Sequence, residues 1–73
     1  MVVLSFDTST TITGYAVYND NKLVHYSSID KSYIKDSNGR MMQMINEIYN
    51  RIDQESPNVV VAEETVVPRN PQT

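Results

Sequence analysis

The alternation of apolar and polar positions predicts three strands, one helix and a fourth strand. Short apolar runs rich in β-branched residues are typical of strands, and they cover 2–6, 12–18, 22–29 and 58–62. Between the third and fourth runs, apolar residues recur at the spacing of one helix face. This spacing predicts a helix over 39–54 that includes Met41, Ile45, Ile48 and Ile52. The order β-β-β-α-β is typical of an α/β fold with a mixed sheet and one crossover helix.

Turn and capping signals separate these elements. The polar run 19–21 favours a tight turn, so the second and third strands should form a hairpin. Asp36 or Ser37 is suited to cap the start of the helix. Pro57 should end it, because Ser56 before a proline is biased towards extended geometry.

The first and last strands are the most apolar, which predicts that both are central and buried on both faces. Placed side by side and parallel, they would bring Asp7 and Glu63 together at their carboxyl ends. Ligands of α/β sheets favour this edge. Two neighbouring carboxylates repel each other unless a cation lies between them, and Mg²⁺ prefers such oxygens. The alternative remains that Asp7 and Glu63 have no function, because Asp and Glu are common where strands end at the solvent.

Two further segments allow two interpretations each. The hydroxyl-rich run 8–11 could have the structural role of closing a turn, or it could bind a phosphate. Arg69 could be a solvated charge or a phosphate contact.

Composition excludes several classes of protein. With 73 residues the chain forms one small domain at most, or part of a larger one. It has no cysteine, which excludes a disulfide scaffold, a zinc ribbon and a thiol nucleophile. A net charge of −3 argues against a nucleic-acid binder held mainly by charge. Apolar runs reach only four residues, against about 20 for a membrane span, so we expect a cytoplasmic protein without a membrane partner.

Two motifs in this chain combine several of these features. The first motif is an apolar strand, an aspartate, a small-residue turn and Thr-Gly-Tyr, found here in 4–9 and 13–17. The second is a proline, an apolar strand and a glutamate, followed by a basic residue and asparagine, found in 57–64 and 69–70. The helix start at 39–41 also fits. Together, these motifs resemble those of the RuvC-like Holliday junction resolvases, especially the phage-type members. The resemblance implies an RNase H-like fold.

The resemblance also implies roles for individual residues. Asp7 and Glu63 would be catalytic and hold Mg²⁺ or Mn²⁺, with Glu64 a secondary candidate because alternation should turn it away from Asp7. DNA contacts would come from the turn after the first strand and the loop after the fourth, with one secondary candidate in the helix. These residues are Thr8, Ser9, Arg69, Asn70 and Arg40.

The implied activity is a structure-specific endodeoxyribonuclease that cleaves Holliday junctions or other branched DNA in recombination and repair. Residues 1–73 would be the N-terminal part of one nuclease domain that acts as a homodimer in its full-length form. The family's remaining acids lie further along, which leaves open whether this chain cleaves DNA alone. Two alternatives remain: an actin-like ATPase or sugar kinase fragment, and a non-catalytic dimerisation module.

Overall fold

The computed structural model describes residues 1–63, and Glu63 only through its backbone. Its elements are β1 (Val2–Asp7), β2 (Ile12–Asn19), β3 (Lys22–Asp30), α1 (Ser37–Glu55) and β4 (Val59–Glu63). The strands form one mixed sheet in the order β3-β2-β1-β4. The pairs β1–β2 and β2–β3 are antiparallel, and β1–β4 is parallel. The predicted element order and the parallel pairing of the first and last strands are confirmed.

The core lies between α1 and one face of the sheet. Because side chains alternate along a strand, Leu4 and Phe6 share one face of β1 and pair with Val17 and Tyr15 of β2 on the same face. Met44 closes this cluster from α1 and is almost fully buried. The opposite face of the sheet carries no described helix or strand.

The β2–β3 hairpin turns on Asp20 and Asn21, whose φ angles are 51° and 68°. Two consecutive positive φ angles suit the right-handed twist of a two-residue hairpin, and Asn and Asp tolerate them. The run 19–21 therefore predicted the hairpin correctly.

The ends of α1 confirm one sequence prediction and correct another. The Asp36 carboxylate caps the helix by accepting a hydrogen bond from the Gly39 N–H at 2.8 Å. At the other end, Ser56 adopts left-handed geometry (φ 47°, ψ 54°) rather than the extended geometry expected before Pro57. The Ser56 N–H donates to the Ile52 carbonyl at 2.9 Å, so satisfying a carbonyl of the last turn outweighs the local bias.

The prediction that both apolar strands are buried on both faces is wrong. β4 is an edge strand among the described strands, and Val59, Val60 and Val61 are 40–45% exposed. β1 is central and buries Leu4 and Phe6 on its α1 face, but Val3 and Ser5 on the opposite face remain partly exposed. Apolar content alone does not reveal how many layers cover a strand.

The connection between β3 and α1 is fixed by Lys31. Its side chain is 12% exposed, and its ammonium forms an ion pair with Glu47 of α1 at 3.3 Å. Its backbone N–H donates to the Thr11 carbonyl at 2.8 Å, which joins this connection to the β1–β2 turn. In the part of the chain that is described, no helix combines the length and the hydropathy required to cross a bilayer.

Candidate active site

Asp7 and Glu63 are adjacent in the sheet. They are the last residues of β1 and β4 and are direct partners in the parallel register. Neighbouring strands lie about 4.8 Å apart, so the two acidic residues have closely spaced backbones at one edge. The predicted juxtaposition of these two positions is therefore present.

Asp7 lies on the sheet face opposite α1, beside a shallow depression of about 260 Å³. Its antiparallel partner is Gly14, and a Cβ atom at that position would meet nothing within 4 Å. Ser5 and Ala16 also line the depression, and the exposed ring of Tyr26 stands at its border. The small residues leave room for a ligand next to the exposed Asp7 carboxylate.

The turn after Asp7 is held by its own hydrogen bonds. The Thr13 hydroxyl accepts from the Ser9 N–H at 3.1 Å and donates to the Ser9 carbonyl at 2.9 Å. The Ser9 hydroxyl accepts from the Thr11 N–H at 3.1 Å. Two of the amides that could bind an anion are thus already engaged. The Ser9 hydroxyl can still donate its own proton to a phosphate oxygen.

Thr8 and Ser9 also border the side of the turn that faces α1. Thr8 lines two adjoining grooves of about 370 and 350 Å³, and Ser9 lines the first. The other lining residues are mainly apolar, among them Met41, Ile45 and Ile48. The turn therefore separates the Asp7 depression from an apolar groove, a placement that alternation along the sequence could not predict.

Arg40 lies in the first turn of α1, and its guanidinium donates to the Ile34 carbonyl at 3.0 Å. This hydrogen bond holds the β3–α1 connection against the start of α1. The end of β3 lies at the same sheet edge as Asp7, because Asp30 pairs with Ile12 where β2 begins. The first turn of α1 follows closely after this edge.

Asp30 is a third acid at this edge, which the sequence reasoning did not single out. Hydrogen bonds from the Ser32 side chain and backbone N–H lower the pKa of the Asp30 carboxyl. The pairing order places β2 between β3 and β1, so Asp30 is two strands away from Asp7. Its carboxylate stabilises the β3–α1 connection. Its position after an alternating strand was the signal available in the sequence.

The donor set at the edge fits part of a site for a hard divalent cation. Asp7 is exposed and acidic, Glu63 is its neighbour in register on one side, and Gly14 leaves space beside Asp7 on the other side. The two ion pairs found within residues 1–63, Met1–Asp20 and Lys31–Glu47, do not involve Asp7. No three acidic or histidine side chains cluster among those described. Mg²⁺ commonly takes one or two carboxylates and completes its shell with water.

Glu64, Arg69 and Asn70 lie outside the described residues. Their predicted roles stay predictions. The chain matches no protein-family model, no curated protein and no solved structure. The function is therefore inferred from the residues and geometry of this sheet edge.

Proposed function

We propose that this chain carries the first two metal-binding carboxylates of a divalent-metal-dependent endonuclease for branched DNA, with an RNase H-like core of the Holliday junction resolvase type. The observation that carries the proposal is the register of β1 and β4, in which Asp7 pairs with Glu63 at the carboxyl ends of parallel strands. Acids at this position, beside an open depression, suit a ligand bound at the sheet edge.

In this proposal Asp7 and Glu63 hold Mg²⁺ or Mn²⁺. When bound, such an ion supplies charge neutralisation at a phosphodiester and lowers the pKa of water. Asp7 and Glu63 would orient the ion, and the Ser9 hydroxyl would donate to a phosphate oxygen of the DNA. Without a cation the two carboxylates would repel a phosphate, so DNA contact at this edge depends on metal.

The hydrogen bonding of the turn favours a nuclease over a nucleotide phosphotransferase. A turn that cradles nucleotide phosphates offers its backbone amides to the anion. Here the amides of Ser9 and Thr11 already donate to the Thr13 and Ser9 hydroxyls. Thr8 follows Asp7 where the kinase-type turn would have a glycine.

A Mn²⁺ titration of the ¹⁵N-labelled chain tests the metal site. We expect paramagnetic broadening of amide signals centred on both Asp7 and Glu63, and its loss in Asp7→Asn and Glu63→Gln. Asp53→Asn is the matched control, since it removes one exposed carboxylate from α1. Broadening at Thr8–Thr11 only with ATP would instead favour the kinase alternative, and an absence of local broadening would overturn the metal site.

Cleavage of a labelled four-way junction tests the activity, with a linear duplex of the same sequence as the comparison. If residues 1–73 cleave DNA without the further acids that the resemblance implies, we expect Mg²⁺-dependent cleavage of the junction in preference to the duplex, abolished in Asp7→Asn and retained in Asp53→Asn. Metal binding without any cleavage would restrict the chain to holding the ion and would reject the nuclease activity for residues 1–73.

A further inference from the structure

We propose that Thr13 is a positioning residue for the edge that carries Asp7 and Glu63. This inference rests on the proposed function. The Thr13 hydroxyl forms its hydrogen bonds with the Ser9 backbone and not with Asp7. It fixes the turn through which the chain leaves Asp7, and so it holds the end of β1 in register with β4.

Thr13 is the one polar side chain that is fully buried among the described residues, with 0% exposure. Burying a hydroxyl without partners is costly, and a valine of the same shape would fill this place in the core. The Thr13 hydroxyl is hydrogen-bonded both as acceptor and as donor, and both bonds are with Ser9: it accepts from the Ser9 N–H and donates to the Ser9 carbonyl. This paired contact anchors the turn directly to the core.

The Thr13–Ser9 contact lies next to the end of β1, the part of the candidate site that should open most readily. Asp7 is the last residue of β1, and strand ends separate readily when the following turn is free. Its pairing with both Gly14 and Glu63 depends on where the chain goes next. Thr13 holds Ser9, two residues beyond Asp7, against the core.

Two other contacts complete the brace. The Ser9 hydroxyl accepts from the Thr11 N–H, and the Thr11 carbonyl accepts from the Lys31 N–H. The turn is thereby held by three contacts: with the buried Thr13, between Ser9 and Thr11 inside the turn, and with Lys31 of the β3–α1 connection. Of these contacts, only the one from Thr13 comes from a buried side chain, so it should have the largest effect on geometry.

The test compares Mn²⁺ affinity, measured by electron paramagnetic resonance of free Mn²⁺, in Thr13→Val and Thr13→Ser. Valine keeps the shape and removes the hydroxyl, whereas serine keeps the hydroxyl. We expect Thr13→Val to weaken Mn²⁺ binding about fivefold to tenfold. Thr13→Ser should stay within about twofold of the unaltered chain, since the hydrogen bonds are retained.

Ile29→Val is the matched control, because Ile29 is the buried partner of Thr13 on β3 and takes no part in the turn. All variants are measured at a temperature where circular dichroism shows them folded. Equal affinity in Thr13→Val and the unaltered chain would overturn the inference, and so would an equal loss in Ile29→Val. No Mn²⁺ binding by the unaltered chain would reject the proposed function instead.

Ser9→Ala covers the case in which Thr13→Val does not fold. It removes the hydroxyl that accepts from the Thr11 N–H at an exposed position, so the fold should tolerate it. We expect a smaller loss of Mn²⁺ affinity in the same direction, about twofold to threefold. An unchanged Mn²⁺ affinity would contradict the proposal that the hydrogen bonds of this turn position Asp7.

Discussion

β1 and β4 are two apolar strands of similar composition that the fold treats differently. Leu4 and Val60 are direct partners in the parallel register, yet Leu4 is fully buried and Val60 is 45% exposed. β1 has a paired strand on each side and α1 across its face, whereas β4 pairs only with β1 among the described strands. Apolar content therefore predicts a strand, while the number of its neighbours decides its burial.

The difference extends to what holds each strand. β1 contributes Leu4 and Phe6 to the core, where burial of apolar surface dominates. β4 depends more on its backbone ladder and on Asn58, whose side-chain oxygen accepts from the Val2 N–H at 2.8 Å. The Asn58 N–H also donates to the Val2 carbonyl at 2.8 Å. We therefore expect β4 to open before β1.

The largest effect should come from truncating the two register partners. Leu4→Ala should reduce the free energy of unfolding by about 2–5 kcal/mol, because it leaves a cavity in the core. Val60→Ala should cost about 1 kcal/mol, because much of its surface is already in water. Urea unfolding followed by circular dichroism measures both. Equal losses would show that β4 is buried as deeply as β1.

Removing the hydrogen bond between the Asn58 side chain, just before β4, and the Val2 N–H should have the next largest effect. Asn58→Ala should cost about 1 kcal/mol and accelerate amide hydrogen exchange in β4 while leaving β1–β2 exchange unchanged. Asn50→Ala, an exposed change within α1, is the control and should leave β4 exchange as it is. Uniform acceleration across the sheet would mean that β4 does not open separately.

The left-handed residue before β4 allows a comparison of two substitutions, with an expected difference no larger than the effect of Asn58→Ala. Ser56→Gly should be more stable than Ser56→Ala by about 1 kcal/mol, since glycine adopts φ 47° without a steric penalty. Both variants lose the hydroxyl that donates to the Asp53 carbonyl, so that contact cancels in the comparison. Thermal unfolding measures the difference, and a more stable alanine variant would refute the strained geometry at this position.

The smallest effect is electrostatic and lies on the β3 side of the sheet, away from β4. The Met1 ammonium, 2.8 Å from the Asp20 carboxylate, holds the pKa of Asp20 below its usual 3.8. Hydrogen bonds from Ser32 lower the pKa of Asp30. A lowered folded-state pKa gives stability that is present above pH 3.8 and lost as pH falls through the folded value.

Carbon-detected NMR titration should therefore place both carboxyl midpoints below 3.8. The double variant Asp20→Asn/Asp30→Asn should lose less stability than the unaltered chain between pH 5 and about pH 2. Asp53→Asn serves as the comparison for loss of an exposed carboxylate in α1. Midpoints at or above 3.8 would remove the basis of this pH dependence.

Much of the fold was predictable because local signals agreed with one another. The alternation in β2, the Asp20–Asn21 turn and the Asp36 cap each specify local geometry, and all three are present. The juxtaposition of Asp7 and Glu63 was also predicted, from the two apolar strands that precede them. The bracing by Thr13 was not, because a hydrogen bond from a core hydroxyl leaves no periodic signal.

The sequence by itself determined the order of the elements, the hairpin, the start of the helix and the acids at two strand ends. These features follow from periodicity and from residues with strong local preferences. The tertiary structure alone decided that β4 lies at the edge, that Ser56 turns left-handed and that Thr13 holds Ser9. Each of these depends on contacts between segments distant in the chain or on competition between local bias and backbone hydrogen bonding.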